Sequence, residues 1–372
     1  MTPKYNNSRM PHYYSLYLDI VRFFAAVAVF LAHLASYPFT NGLFWRPVGA
    51  FGDVAVIIFF VLSGYVIAYV TSTREKTISQ YASARIARIY SVVLIALLLT
   101  LVFDNIGKSL NPEFYSIQEV MRKPQSIVGY ISSIFFVNEY QIFKFNGISP
   151  GSNGPYWSLS FEITYYLIVG LFLFTKRAIA FPITIIVLFL SGRTIAALLP
   201  IWILGYLLYF VSLKSINRKI LYFGFVFSVF LIAITPHLAI RLPEDNFGFY
   251  FPWGRGPFNR DLIEDYLSAL FFAVNILCVR EILKGTGLKN NKNIERLIRW
   301  LGALTFPLYL IHFPVLAFFA SISPWAKETW SNVVFISIFT FFLVIIITPI
   351  SDIFKVKIKK KLLFFFQKNT AQ

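Results

Sequence analysis

Two ionisable side chains on one apolar stretch are the first candidates for chemistry. The run LDIVRFFAAVAVFLAHL, residues 18–34, carries Arg22 near its start and His33 near its end. Their separation of eleven residues is, at about 100° per residue, three helical turns with roughly 20° of drift, so both share one face about 16 Å apart. Asp19, three residues before Arg22, falls on nearly the same stripe and can pair with it. A charge at the centre of a bilayer costs roughly 3 kcal/mol on insertion scales, so such a stripe needs a reason to exist. A guanidinium fork suits phosphate, and an imidazole titrating near neutrality suits removal of a hydroxyl proton. The plain alternatives are an ion pair bridging spans for Arg22 and Asp19, and a helix-end hydrogen bond for His33.

Further polar residues are embedded in apolar sequence. RIARIY supplies Arg85 and Arg88, WSLSFEITYY supplies Trp157, Ser158 and Glu162, and LTFPLYLIHFPV supplies Tyr309 and His312. Arg85 and Arg88 read equally as anchors on the positive side of a membrane, Trp157 as an interfacial aromatic, and Glu162 as a polar group bonded to backbone. Tyr309 and His312, between Pro307 and Pro314, read either as a site or as a polar cluster in a kinked helix. Ser63 in VLSGY and Cys278 are the conceivable covalent nucleophiles, and counting puts both near the inner ends of their spans. Gly64 reads as a place of close helix packing.

The elements that must hold these groups are membrane helices. Of the 372 residues 57% are hydrophobic and 14% charged, with 42 Phe, 21 Tyr and a mean hydropathy of +0.66; soluble domains average about a quarter charged. The formal net charge of +17 lies in short clusters between apolar runs, the pattern of loops facing the cytoplasm and anionic lipid rather than of a nucleic-acid surface. A single cysteine excludes an intrachain disulfide and a CxxC site, and the four histidines form no HxxxH pair, so no metal site is expected. Apolar runs at 16–36, 51–69, 89–103, 157–174, 178–190, 195–211, 221–235, 262–279, 300–321 and 333–350 predict an all-α integral membrane protein of about ten transmembrane helices. The first reads as a retained span rather than a cleaved signal, and the whole chain, 1–372, as a single domain with a basic cytoplasmic tail at 351–372. Residues 104–156 are broken by Pro112, Pro124, Pro150 and Pro155, and the apolar piece 127–137 is expected to be re-entrant or interfacial.

Ten spans put both termini on one side. On that side fall Lys4 and Arg9, the Arg74 to Arg88 cluster, Lys176 with Arg177, Lys214 with Arg218 and Lys219, the Lys284 to Arg299 group and Lys355 to Lys361. The opposite loops hold Arg46, Arg193, and Arg241 beside Glu244 and Asp245. The asymmetry assigns the termini to the cytoplasm, and then Asp19 and Arg22 lie at the inner end of the first span. His33 and Glu162 lie towards the outer side at similar depth, and His312 midway. A base and an orienting carboxylate thus come level.

In this order and spacing, LDIVRFFAAVAVFLAHL, GDVAVIIFFVLSGY, RIARIY, WSLSFEITYY and LTFPLYLIHFPV resemble the acyltransferase family 3 membrane proteins. The resemblance implies a ten-helix enzyme of a bacterial-type cytoplasmic (inner) membrane that O-acylates cell-surface carbohydrate. The acyl group, usually acetyl, comes from cytoplasmic acyl-CoA. It implies His33 as catalytic base, with the family's basic residue on Arg22, its RxxR element on Arg85 and Arg88, its tryptophan and acid on Trp157 and Glu162, and its late tyrosine and histidine on Tyr309 and His312. Ala55, Ser91 and Thr305 depart from the common pattern. The residues themselves agree: acyl-CoA is a polyanion at one end and a thioester at the other, joined by an arm about as long as the Arg22 to His33 separation. Direct transfer to a carbohydrate hydroxyl is the expected route, without metal or nucleic acid. A transporter or flippase would need an internal repeat, which the chain does not display. A sugar-transfer enzyme would need acidic metal ligands outside, where Asp245, Asp261, Glu264 and Asp265 read as a solvated loop. The outer loops, including PWGRGPF with Trp253 and Arg255, are expected to shape the acceptor site.

Overall fold

The computed structural model describes residues 10–117, 126–143, 148–213, 216–237, 262–284 and 291–370, and every α-helix, 3-10 turn and loop below belongs to these. The helices are α1 (His12–Leu34), the one-turn α2 (Tyr37–Thr40) and α3 (Trp45–Val48), α4 (Phe51–Thr73), α5 (Ile78–Leu110), α6 (Pro112–Ile117) and α7 (Ile127–Ile134). After them come α8 (Trp157–Phe174), α9 (Arg177–Ser191), α10 (Arg193–Leu208), α11 (Arg218–Ile234), α12 (Leu262–Leu283), α13 (Lys292–Ile322) and α14 (Trp330–Thr370). Eight stretches are long and apolar enough to cross a membrane, and α9 and α10 are shorter apolar helices. Each of the ten apolar runs read from the sequence coincides with a helix. Lys4, Arg9, Lys214, Arg241, Trp253 and Arg255 lie outside the described residues.

Three boundaries differ from expectation, each for a local reason. The Arg74 to Arg88 stretch, expected as a loop, is mostly helix: only residues 74–77 connect α4 to α5. Thr77 caps α5 by accepting from the Gln80 N–H at 3.3 Å, and the following ISQYASARIARIY contains no Gly or Pro to stop it. Tyr81, Arg85 and Arg88, at i, i+4 and i+7, therefore share one helix face. The expected basic tail is likewise helix, because KVKIKKKLL also lacks a breaker, and α14 runs 41 residues through Pro349 to Thr370. Finally, the broken region before α8 enters the bundle. Residues 149–153 are buried, and their polar groups are satisfied by protein: Asp104 accepts from Ser152 N at 2.8 Å and Ser152 Oγ at 2.7 Å, and Asn153 Nδ2 donates to the Leu310 carbonyl at 3.0 Å. Irregular backbone at such depth is tolerable only when protein supplies its partners. Gly151 is required there: its φ is +56°, and a Cβ would stand 2.3 Å from Asp104 Oδ2.

Two apolar cores flank the bundle's interior. Phe60, Tyr165, Trp202 and Ile276 join α4, α8, α10 and α12 in one; Phe30, Val93, Leu308 and Ile336 join α1, α5, α13 and α14 in the other. The tightest crossing is α4 on α10, where Cβ atoms at Gly64 and Gly205 would each lie 2.1 Å from a carbonyl oxygen, of Trp202 and Val61 respectively. Small residues here let two backbones touch. By contrast Phe223, Val226 and Phe230 of α11 project outward, exposed, as suits lipid.

Candidate functional site

Between the two cores lies a cavity of about 620 Å³, walled by α1, α4, α5, α8, α13 and α14. α1 and α13 run alongside in the same direction. A Cβ at Gly302 would stand 3.0 Å from that of Asp19 near one end, and His312 meets His33 near the other. That pairing gives the cavity its axis. At one end stand Arg22, Arg88, Lys355 and Lys359, of which Lys359 is exposed; at the other stand the buried Tyr309 and Ser158; Phe59, Phe60 and Leu159 line the middle. The cavity therefore has a cationic end, a largely apolar middle interrupted by Glu162 and Ser63, and a hydroxyl-bearing end.

The cations are held with their forks available. Asp19 gives one oxygen to Arg299 Nη1 at 2.5 Å and keeps Arg22 only at 3.7 Å, so the Asp19–Arg22 pair exists but is the looser of the two. Arg88 lies with its guanidinium carbon 5.9 Å from the Phe306 ring centre. Lys355 pairs with Asp352 one turn back, whereas Lys359, four residues on, lines the same wall. Arg85 is different. It does not line the cavity; its Nη2 donates to Glu75 at 2.6 Å, between the rings of Tyr81 and Tyr166. Among the described residues its Nε and Nη1 are buried without hydrogen-bond partners, as is Glu75 Oε2. Burial pushes the Glu75 carboxyl up, and Arg85 opposes the shift.

Glu162 is placed apart from His33. On the cavity wall it accepts hydrogen bonds from Ser63 Oγ at 3.1 Å and from the Tyr166 hydroxyl, within electrostatic range of Arg22 and Arg88. The level arrangement of histidine and carboxylate expected from counting does not occur. What His33 meets is His312, whose Nε2 lies 3.0 Å from His33 Nδ1. The tautomers follow from the surroundings. His312 Nδ1 faces two carbonyls, of Leu308 at 3.0 Å and Tyr309 at 2.8 Å, so it carries the proton. Its Nε2 must then accept, and His33 Nδ1 must donate. With its proton on Nδ1, His33 carries its ring lone pair on Nε2, the form of a general base. His312 is fully buried and its ring centre is 6.3 Å from that of Tyr309, which donates to Ser158 Oγ at 2.7 Å. The hydroxyl-bearing end and the histidine pair are thus contiguous. Trp157, the first residue of α8, packs edge-on against Phe161 and does not line the cavity.

The structure therefore brings together Arg22, Arg88, Glu162, Ser158 and Tyr309 on one cavity, with His312 and His33 beyond its hydroxyl-bearing end, and leaves Arg85, Asp19 and Trp157 off its wall. It adds Ser63, Thr305, Lys355 and Lys359. The two lysines carried a readable signal, their spacing of four on a helix-forming run; in the sequence Ser63 reads only as a conceivable nucleophile and Thr305 only as a departure from the common pattern.

A multi-pass membrane bundle around a cavity with a cationic end is the class these observations define. The chain belongs to the acyltransferase domain family, whose match covers residues 15–349. It is 29% identical over 163 residues to acyltransferase MdmB of Streptomyces mycarofaciens, spanning 40% of this chain and 36% of that protein. It is 27% identical over 197 residues to an O-acetyl transferase of Shigella phage Sf6, spanning 50% of this chain and 56% of that one. The matched stretches span 36% and 56% of these two relatives. No solved structure matches it.

Proposed function

We propose that this protein is a transmembrane O-acyltransferase that draws an acyl group, most simply acetyl, from acyl-CoA on the cytoplasmic side. It passes the group to a carbohydrate hydroxyl on the other side, at the cell surface. The observation that carries this reading is the cavity itself, with four cations at one end and a histidine pair just past the other. Putting the end with Arg74, Lys76, Arg299 and Lys355 to Lys361 in the cytoplasm satisfies the positive-inside rule and directs the cationic end at the soluble donor. The nucleotide phosphates of acyl-CoA then meet Arg22, Arg88, Lys355 and Lys359, and the narrow arm lies along Phe59 and Leu159 with its thioester at the hydroxyl-bearing end.

In the reaction so read, an acceptor oxygen forms a bond to the thioester carbonyl carbon as His33 Nε2 takes the hydroxyl proton. The carbon–sulfur bond breaks, and the departing thiolate takes a proton from the imidazolium. His312 holds His33 in the competent tautomer, while Glu162 balances Arg22 and Arg88 at the wall. The test uses purified protein in proteoliposomes with acetyl-CoA inside and surface glycan from the source cells outside. CoA release coupled to glycan acetylation is expected, and His33→Ala should lose it while keeping the wild-type melting temperature. Undiminished transfer by His33→Ala refutes the assignment of the base. Mass analysis of surface glycans from cells with and without the protein identifies acyl group and acceptor.

A further inference from the structure

The segment that follows His33 holds two aromatic rings in fixed positions at the surface. Residues 35–50 carry the one-turn helices α2 and α3, both packed against α1. Ser36 Oγ donates to the His33 carbonyl at 2.5 Å and Thr40 Oγ1 to the Leu34 carbonyl at 2.9 Å, while Asn332 Nδ2 of α14 donates to the Phe39 carbonyl at 2.9 Å. Phe39 and His33 both meet the Phe313 ring edge to face. The segment is thus tied down beside His33, which is itself only partly buried. Tyr37 is 67% exposed and Trp45 42% exposed, yet each ring has a glycine beneath it. A Cβ on Gly42 would stand 3.3, 3.5 and 3.7 Å from Tyr37 Cζ, Cε1 and Cε2, and one on Gly49 would stand 2.4 Å from both carbons of the fused bond of the Trp45 indole. Contact with three neighbouring ring atoms, or with a bond inside the ring system, comes from above the ring plane. Each ring therefore rests one face on a glycine and has its exposure on the other side.

The two seats belong to one turn, because the Trp45 N–H donates to the Gly42 carbonyl at 3.1 Å. Polar groups surround it: Arg46 is exposed, and Asn41 Nδ2 donates to Glu328 at 2.6 Å, both residues exposed. An aromatic anchor in a membrane interface needs only the right depth. A glycine under each ring adds what depth does not require, a fixed plane with one open π-face. That face carries partial negative charge, and a sugar ring offers the complement: C–H bonds on one face, weakly positive and apolar, with hydroxyls at its edge to reach side chains such as Asn41, Arg46 and Glu328. We infer that Tyr37 and Trp45 are the stacking platform that holds a sugar of the acceptor beside His33. This rests on the carbohydrate-acceptor reading of the protein.

The experiment measures the KM for surface glycan of the source cells, in proteoliposomes holding acetyl-CoA, for Tyr37→Ala, Trp45→Ala and Gly49→Ala. Gly49 has ordinary helical angles, φ −57° and ψ −48°, so alanine strains no backbone there; the three atoms nearest its Cβ all belong to the indole, which it tilts off its seat while leaving it at the same depth. Each variant should keep the wild-type melting temperature and raise the glycan KM about two- to twelvefold, the weight of one aromatic contact, with kcat and the acetyl-CoA KM within about twofold. An unchanged glycan KM in either Tyr37→Ala or Trp45→Ala overturns the platform and leaves that ring as a membrane anchor, while transfer itself stands. A raised KM in Trp45→Ala that Gly49→Ala does not share overturns it too, because an indole that serves in any orientation is not a stacking surface. If the wild type acetylates no glycan, the carbohydrate reading falls and takes the platform with it.

Discussion

Replacing His312 by phenylalanine removes the imidazole partner of the proposed base. The ring volume is kept, which matters because His312 is fully buried beside Phe30, Tyr309 and Phe313, and an alanine there would open a cavity costing several kcal/mol. What disappears is the acceptor 3.0 Å from His33 Nδ1. The Val29 backbone still bonds His33, so what is lost is one of two partners, about 0.5–1.5 kcal/mol for a hydrogen bond, which weakens the preference for the tautomer that leaves Nε2 unprotonated. At 1.36 kcal/mol per tenfold in rate, kcat should fall about two- to twelvefold with the acetyl-CoA KM unchanged. Losing the base outright, as in His33→Ala, should cost about 10²–10⁴. The assay is initial-rate CoA release with glycan acceptor, each variant first checked for the wild-type melting temperature. The decisive arm is the double variant, which should be no slower than His33→Ala alone, because His312 acts only through His33. A further tenfold loss in the double variant, or full activity in His312→Phe, would refute the relay.

Other consequences are as direct. Arg85→Ala should lower the melting temperature through the stranded Glu75 carboxylate, with little change in acetyl-CoA KM, whereas Arg88→Ala should do the reverse; equal KM effects would put Arg85 in the donor site. Lys355→Ala with Lys359→Ala should raise the acetyl-CoA KM and flatten its dependence on ionic strength, and an unchanged salt profile would remove α14 from the donor site. Gly64→Ala must shift α4 from the Trp202 carbonyl, 2.1 Å from the new Cβ, a strain of about 1–3 kcal/mol visible as a lower melting temperature in detergent. Ser63→Ala, which leaves Glu162 its Tyr166 partner, should keep activity within about tenfold. Intact-protein mass after acetyl-CoA alone should show no added acetyl group; an adduct lost in Ser63→Ala would replace direct transfer by an acyl-serine route.

The helices were legible because a bilayer demands long apolar runs, and the pairing of Asp19 with Arg22 because spacing along one helix is fixed by its geometry. What crosses between helices was not legible. The expectation that Glu162 sits beside His33 assumed that α8 starts at the membrane surface, as an ordinary span does. Instead the chain before it dives inward, and Asn153 is tied to the carbonyl of Leu310 while Pro155 faces Tyr309. Leu310 lies 12 residues before the end of α13, so α8 begins about 18 Å along that helix from its terminus, far below the surface. Glu162, five residues further from Trp157, is carried another 7.5 Å or so towards the cations, which is why it meets Ser63 and Arg88 rather than the histidines. The displacement changes the chemistry available to each group. A carboxylate level with the imidazole would stabilise a protonated histidine; a second imidazole, locked by two carbonyls, fixes a neutral one. The proposed base would therefore be set by tautomer rather than by charge, which suits a place where a lasting charge is expensive.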